Sequence, residues 1–337
     1  MAQSLMAKEA LQTPEQIRRQ LHENQDRVKN VVEAVKAFAP KMVYLIGRGS
    51  SDHSGVYAKY LIETELGIPV CAAAPSVSTL FGKALQLQHA LVICISQSGR
   101  SPDILHQVTQ AKQVGAMCLA LVNDESSPLA DLVDHVIPLK AGPEKAVAAT
   151  KSFLCTLSAI ASLVAVWSDS QPLWDGLQAL PKQLESVVGQ ESQLKLGDLK
   201  DLRHCVVLGR GFGYAISREL ALKLKEVCSI HAEAFSSAEF LHGPITLVAK
   251  KLTLVNIEIE DETFEHHKKQ VDEVIRRGGK VLSLQYVRLD MPQEQIHQRL
   301  IPLAIMLRFY LDIESIAQQM GLNPDEPTGL NKVTQTL

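Results

Sequence analysis

The 337-residue sequence has no basic block: 34 lysines and arginines stand against 37 aspartates and glutamates, for a formal net charge of -3. Aromatic residues are scarce, at 5%. Nucleic acid and anionic membrane are therefore poor partners, since both are held through basic surface and single strands also through stacked aromatics. The six cysteines are Cys71, Cys94, Cys118, Cys155, Cys205 and Cys228, and no two form a C-x-x-C pair. Most sit in apolar runs such as Leu91 to Ile95, so buried thiols in a reducing cytoplasm are expected, not disulfides. Long hydrophobic runs are also missing. The stretch Phe153 to Trp167 is interrupted by Thr156, Ser158 and Ser162, is too short and polar for a membrane span, and reads as a core helix. The N-terminal MAQSLMAKEALQTPEQIRRQ is a polar helical pattern and not a signal peptide. With no H-x-x-x-H helix and no carboxylate cluster, no metal is expected; Glu265-His266-His267 reads as an exposed helix face near Asp261.

What is present is an ordinary globular composition, 46% apolar and 21% charged, in a chain long enough for two domains. A polar amphipathic helix over residues 14–38 ends near Ala39-Pro40. Short apolar runs then alternate with helical patterns: Val43 to Ile46, Pro69 to Ala73, Leu91 to Ile95, Met117 to Val122 and Val133 to Pro138, with a short helix near Val77 to Phe81 and a helix that Pro102 opens, to Val114. Continuous apolar strands between helices predict a parallel sheet covered on both faces. After a polar connection at Ser168 to Pro172 and a helix over Trp174 to Val188, the alternation restarts at Cys205, with Leu252 to Ile257, Lys280 to Leu284 and a helix Ile301 to Met320. Tyr44-Leu45-Ile46-Gly47-Arg48-Gly49 is echoed by Val206-Val207-Leu208-Gly209-Arg210-Gly211, 162 residues on. The expected fold class is α/β, two tandem doubly wound parallel-sheet domains in αβα layers. The expected organisation is a helical segment 1–39, a first domain 40–170, a second domain 171–320 with its linker helix, and a tail 321–337 that is either a loose end or a closing loop.

An open parallel sheet binds ligands at the carboxyl ends of its strands. Two hydroxyl-rich loops fall there. Gly47 and Gly49 allow a tight turn, after which Ser50 and Ser51 begin a helix; one strand later, Ser96-Gln97-Ser98-Gly99-Arg100-Ser101 repeats the pattern. Such loops offer a phosphate dianion backbone N–H groups and several hydroxyls. The plainer alternative is that Ser50, Ser51 and Ser101 only cap helices. A dinucleotide site is disfavoured, because the sixth position of the would-be G-x-G-x-x-G is Asp52. Lys223 and Glu226, three apart on one helix, share a face. Taken alone they read as a solvated ion pair, and His242-Gly243-Pro244 supplies the company that makes them a catalytic candidate.

The runs GRGSSDH, SQSGRSPD and AVAATKSF (Ala146 to Phe153) resemble the first of two SIS (sugar isomerase) domains. ALKLKEVCSIHAEAFSSAEFLHGP, from Ala221 to Pro244, is similar to the second, as found in the isomerase part of glucosamine-6-phosphate synthases. Asn323 to Pro327 and Leu330-Asn331-Lys332 resemble the closing C-terminal loop of the same enzymes. The resemblance implies a phosphate site at Ser50, Ser51, Ser96, Gln97, Ser98 and Ser101. It also implies a rim of Arg48, Gly49, Val147 and Ala149 around the sugar. By similarity, Glu226 is the C1–C2 base, His242 the ring-opening acid/base, Lys223 the electrostatic partner, and Lys332 the tail lysine that can form a Schiff base with the open ketose. A homodimer sharing its active sites is implied as well, with no cofactor.

Three positions depart from the synthase pattern: Arg48, Arg100 and Ala149 replace a cysteine, a glutamate and a serine. No stretch resembles a glutaminase domain. The expectation is thus an aminosugar-phosphate isomerase running toward deamination, glucosamine 6-phosphate to fructose 6-phosphate plus ammonia. A fructosamine-6-phosphate deglycase and a galactosamine-6-phosphate deaminase/isomerase stay open beside it. A phosphosugar-binding regulatory module without turnover is the reading from another class.

Overall fold

The computed structural model describes residues 3–287, 295–330 and 332. Helices α1 (Leu5–Leu11) and α2 (Thr13–Phe38) come first, and the Ser4 hydroxyl caps α1 by accepting from the Ala7 amide. Strand β1 (Met42–Ile46) turns through Gly47 to Gly49 into α3 (Ser50–Leu66), followed by β2 (Val70–Ala72) and the short α4 (Pro75–Thr79). The first alternation is completed by β3 (Ala90–Ser96), α5 (Pro102–Gln113), β4 (Met117–Val122), α6 (Pro128–Leu132) and β5 (His135–Pro138). Three helices follow, α7 (Lys151–Trp167), α8 (Gln171–Val188) and α9 (Leu196–Leu199). The second alternation runs through β6 (His204–Gly209), α10 (Phe212–Cys228), β7 (His231–Ser236), α11 (Ser237–Leu241) and a 3-10 turn Pro244–Lys250. It closes with β8 (Thr253–Glu258), α12 (Phe264–Arg276), β9 (Lys280–Gln285) and α13 (Ile301–Gln319).

The chain gathers into two compact units. One holds residues 15–144 and 151–178; the other holds the residues up to 14, the segment 145–150 and residues 179–332. In the former, the sheet order is β2-β1-β3-β4-β5, all neighbours parallel, with Val43 beside Leu91 and Leu91 beside Met117. Both faces of β3 and nearly all of β4 are buried, which is why these strands are apolar without alternation. Tyr44, Val92, Cys94, Val108, Cys118 and Val122 lie in one core of this sheet. Helix α7 is buried along almost its whole length, as a core helix, down to Lys151 at its first turn. No helix among the described residues is long and apolar enough to cross a membrane.

In the latter unit the order is β7-β6-β8-β9, again parallel. Val206, Leu208, Phe240, Leu254 and Val274 form its core, and α10 packs against α13. Each sheet reverses its winding once, at β1/β3 and at β6/β8, and those reversals open the crevices in which doubly wound sheets bind ligands. The sequence repeat is also a backbone repeat. Gly49 has φ 54° and ψ -127° before α3, and Gly211 has φ 52° and ψ -125° before α10. Both conformations favour glycine.

Two local readings change. The short helix expected at Val77 to Phe81 lies earlier, at Pro75–Thr79, because Pro75 starts it; Phe81 falls outside, 72% exposed. On α12, Glu265 and His266 are exposed as expected, but His267 is buried to 2% exposure and its Nδ1 lies 2.9 Å from Ser237 Oγ. Adjacent helix positions point about 100° apart, which is enough to carry His267 from the wet face to the face that packs on α11.

Candidate active site

The serine loops lie in the unit of residues 15–144 and 151–178, after β1 and β3, the strands on either side of its reversal. Gly47 lets the loop after β1 approach its own helix: a Cβ there would lie 2.9 Å from the Ser51 carbonyl carbon. Gly49, not a serine, occupies the N-cap of α3, which places Ser50 and Ser51 in the helix's first turn. After β3, the Ser96 hydroxyl accepts from the Gly99 amide at 3.0 Å and folds the loop back on itself. Gly99 has φ +63°, and a Cβ on it would sit 2.2 Å from Ser127 Oγ, so the loop is pressed against the start of α6. Ser101 stands at the N-cap of α5 yet makes no side-chain capping hydrogen bond. Ser50, Ser51, Gln97, Ser98 and Ser101 are partly exposed, whereas Ser96 is 5% exposed. Neither α3, capped by Gly49, nor α5, capped by Ser101, has a side-chain capping hydrogen bond at its N-terminus.

The two arginines that depart from the synthase pattern are both paired. Arg48 Nε donates to Asp103 Oδ2 at 2.8 Å, which links the first serine loop to the start of α5. Arg100 donates to Asp124 at 2.8 Å; the Ser126 hydroxyl first, and then Arg100, holds that carboxyl below its usual range.

The second group of candidates lies in the other unit, on α10. Lys223 is 1% exposed, and its ammonium is 3.3 Å from Glu219 Oε1 and 2.5 Å from Glu226 Oε2. Residues at i−4 and i+3 of a helix flank position i, so the lysine is gripped along the helix axis from both sides. Burial alone would lower the Lys223 pKa, but the carboxylates of Glu219 and Glu226 outweigh it and raise it above its ordinary value. Glu219 is fully buried and also accepts from the Tyr310 hydroxyl at 3.4 Å. The Glu226 side chain retains 21% exposure and lines a cavity of about 350 Å³ together with Asn323, Glu326, Pro327 and Leu330. The arrangement fixes one carboxylate at a cavity wall, held by a buried lysine that a second carboxylate flanks from behind. Chemically, that is a fixed proton acceptor with an adjacent cation.

His242 ends α11, exposed, and its ring makes no hydrogen bond to Lys223 or Glu226. Lys332 Nζ donates to the Ala146 carbonyl at 2.6 Å, while Val147 donates its amide to the Asp325 carbonyl at 3.0 Å. Tail and rim segment thus meet within one unit. Ala149, like Val147, is partly exposed. Sequence reasoning missed Glu219, although it lies four residues before Lys223, and missed Asp103, which only the β1–β3 adjacency brings to Arg48.

Fold and site together define a tandem doubly wound α/β chain with serine-rich loops at one switch point and a carboxylate–lysine pair in the second unit. A family model for the SIS domain matches residues 38–166 and 198–287, and the chain belongs to that family. It is 31% identical over 312 residues to a glutamine–fructose-6-phosphate aminotransferase (isomerizing) of Salmonella paratyphi A, covering 86% of this chain and 51% of that one. The chain thus spans about half the length of the curated relatives it matches. A solved structure from Silicibacter pomeroyi, provisionally assigned as a phosphosugar isomerase, superposes with a TM-score of 0.88 at 33% identity, covering 96% of this chain and 100% of that one. A glucosamine-6-phosphate deaminase from Thermotoga maritima superposes with a TM-score of 0.77 at 21% identity, covering 99% and 100%, and shares the fold.

Proposed function

We propose that this chain is an aminosugar-phosphate isomerase that deaminates, converting glucosamine 6-phosphate and water into fructose 6-phosphate and ammonia. The observation that carries the reading is Glu226, a partly exposed carboxylate on a cavity wall, fixed by a buried Lys223 that Glu219 neutralises from behind. A base of this kind suits removal of the proton at C2 of an open-chain aminoaldose and its return to C1. The product of that transfer is the 2-imine of fructose 6-phosphate. Addition of water to the imine carbon and departure of the nitrogen then give ketose and ammonia.

The serine loops, with Ser50, Ser51, Ser96, Gln97, Ser98 and Ser101, anchor the phosphate. Glu226 moves the proton, and Lys223 steadies the negative charge that develops on the sugar in the enol-type intermediate. His242, whose imidazole can both donate and accept a proton, opens the pyranose ring. Lys332 engages the open sugar from the tail. Two copies of the chain assemble, with His242 serving the neighbouring copy; the resemblance to the synthases supports this part.

The test is to incubate the purified protein with glucosamine 6-phosphate, galactosamine 6-phosphate and fructosamine 6-phosphate, measuring ammonia, fructose 6-phosphate, tagatose 6-phosphate and glucose 6-phosphate. Ammonia and fructose 6-phosphate in equal amounts are expected from the first. Turnover of one of the other two alone would replace the substrate, and tight binding without any turnover would replace the enzyme by a sensor.

A further inference from the structure

Three consecutive backbone amides of the rim segment, Lys145, Ala146 and Val147, carry hydrogen bonds that come from no strand or helix. Glu9, on α1 and only 6% exposed, accepts from Lys145 N at 2.5 Å and from Ala146 N at 3.2 Å. Val147 N donates to the Asp325 main-chain carbonyl at 3.0 Å. The Asp325 carboxylate in turn accepts from Leu5 N at 2.9 Å and Met6 N at 2.8 Å, at the start of the same α1. The connections close a ring: α1 holds the rim through Glu9, the rim holds the tail through Val147, and the tail holds α1 through Asp325. Lys332 is seated on this ring, since the carbonyl it bonds belongs to Ala146. Buried backbone amides must find acceptors, and a segment outside any sheet takes its shape from whatever supplies them. Carboxylate acceptors form the stronger, charge-assisted kind of bond.

We infer that Glu9 and Asp325 are positioning residues of the reaction, which shape the Val147–Ala149 rim and the seat of Lys332 without touching the substrate. The inference rests on the proposed function, in which rim and tail lysine serve the sugar. Glu9 and the serine loops lie in different units. A positioning role therefore predicts damage to turnover with the phosphate anchor spared.

The experiment compares the full-length wild type with Glu9→Gln, Glu9→Asp and Asp325→Asn. For each, kcat, KM, competitive inhibition by inorganic phosphate, and amide hydrogen exchange of the peptide covering 145–149 are measured, with a thermal melt to confirm folding. Glu9→Gln is expected to lower kcat roughly 10- to 100-fold, the scale of a displaced reacting group, while the phosphate inhibition constant stays within about twofold. Exchange at 145–147 should quicken, and Glu9→Asp, which keeps two acceptor oxygens and the charge, should recover part of kcat. Asp325→Asn should reproduce the pattern from the opposite side of the ring. A folded Glu9→Gln with kcat within about twofold of wild type overturns the inference, and so does unchanged exchange at 145–147. Loss of phosphate inhibition in parallel with kcat would likewise overturn it, as general damage. Failure of the functional reading is seen separately, as absence of turnover by the wild type itself, while the exchange comparison still reports whether Glu9 holds the segment.

Discussion

Arg48 Nε lies 2.8 Å from Asp103 Oδ2, and the pair ties the loop after β1 to the first turn of α5. The aspartate side chain is 1% exposed and the arginine 45%. Removing the arginine leaves a buried carboxylate without its charged donor. Arg48→Ala should therefore destabilise the fold by about 1–3 kcal/mol and loosen both serine loops together. Isothermal titration with inorganic phosphate should register a weakening of roughly tenfold, equivalent to about 1.4 kcal/mol. Unchanged affinity would mean that the two loops hold their shape independently.

The grip on Lys223 makes a stability prediction of unusual sign. Lys223→Met leaves Glu219 fully buried without its cation, which for a broken buried pair costs about 3–5 kcal/mol in denaturant unfolding. Adding Glu219→Gln removes the orphaned charge, so the double variant should be more stable than the single one. Activity should not return with it, because Glu226 has lost its partner. The linkage follows the raised pKa: the stabilising contribution is complete below the unfolded value of about 10.4 and is lost as pH climbs through the higher folded value.

Gly99 carries a steric prediction. With φ +63° and Ser127 Oγ only 2.2 Å from a built Cβ, Gly99→Ala must strain the backbone and push against α6. A cost of about 1–3 kcal/mol is expected, together with a raised KM for the sugar phosphate. Combining it with Ser127→Gly removes the nearest collision but leaves Val122 Cγ2 at 3.0 Å and the backbone strain, so recovery should be partial in a urea titration.

His267 adds a dependence on acid. Burial lowers its pKa from 6.5, opposed by Glu258 and Asp261 and reinforced by Arg210. The unfolded chain therefore binds this proton first. The stability at stake is complete above pH 6.5 and is lost as pH falls below that value through the depressed folded pKa. In urea midpoints measured from pH 7 downward, His267→Gln should show a shallower decline than the wild type. Parallel slopes would remove His267 from the account.

Much of the fold was legible because its central strands are buried on both faces. β3 and β4 read directly as apolar runs, and the glycine turn repeated after β1 and β6 announced two related units. β7 was not legible. His231-Ala232-Glu233-Ala234-Phe235-Ser236 has no apolar run, since it is an edge strand with only Ala232 fully buried. Of the candidate site, the spacing of Lys223 and Glu226 showed only a shared helix face, and His242-Gly243-Pro244 and the family resemblance made them candidates. The burial that turns them from a surface pair into a fixed, buried ion pair draws on α13, whose Tyr310 reaches Glu219 from 91 positions away. Arg48, read as a residue facing the sugar, is engaged by Asp103, 55 positions on, a partner visible only once β1 and β3 are neighbours. Helical spacing is local information; partners across a sheet are not.

The central claim is that Glu226 transfers a proton on an aminosugar phosphate. Its most direct measurement is the rate of ammonia release from saturating glucosamine 6-phosphate by wild type and by Glu226→Gln, with phosphate binding followed in both. The account predicts equal phosphate affinity and a rate lower by about 10²–10⁴ in the variant, the range for loss of a general base. A folded variant that releases ammonia within a few-fold of the wild-type rate would contradict it.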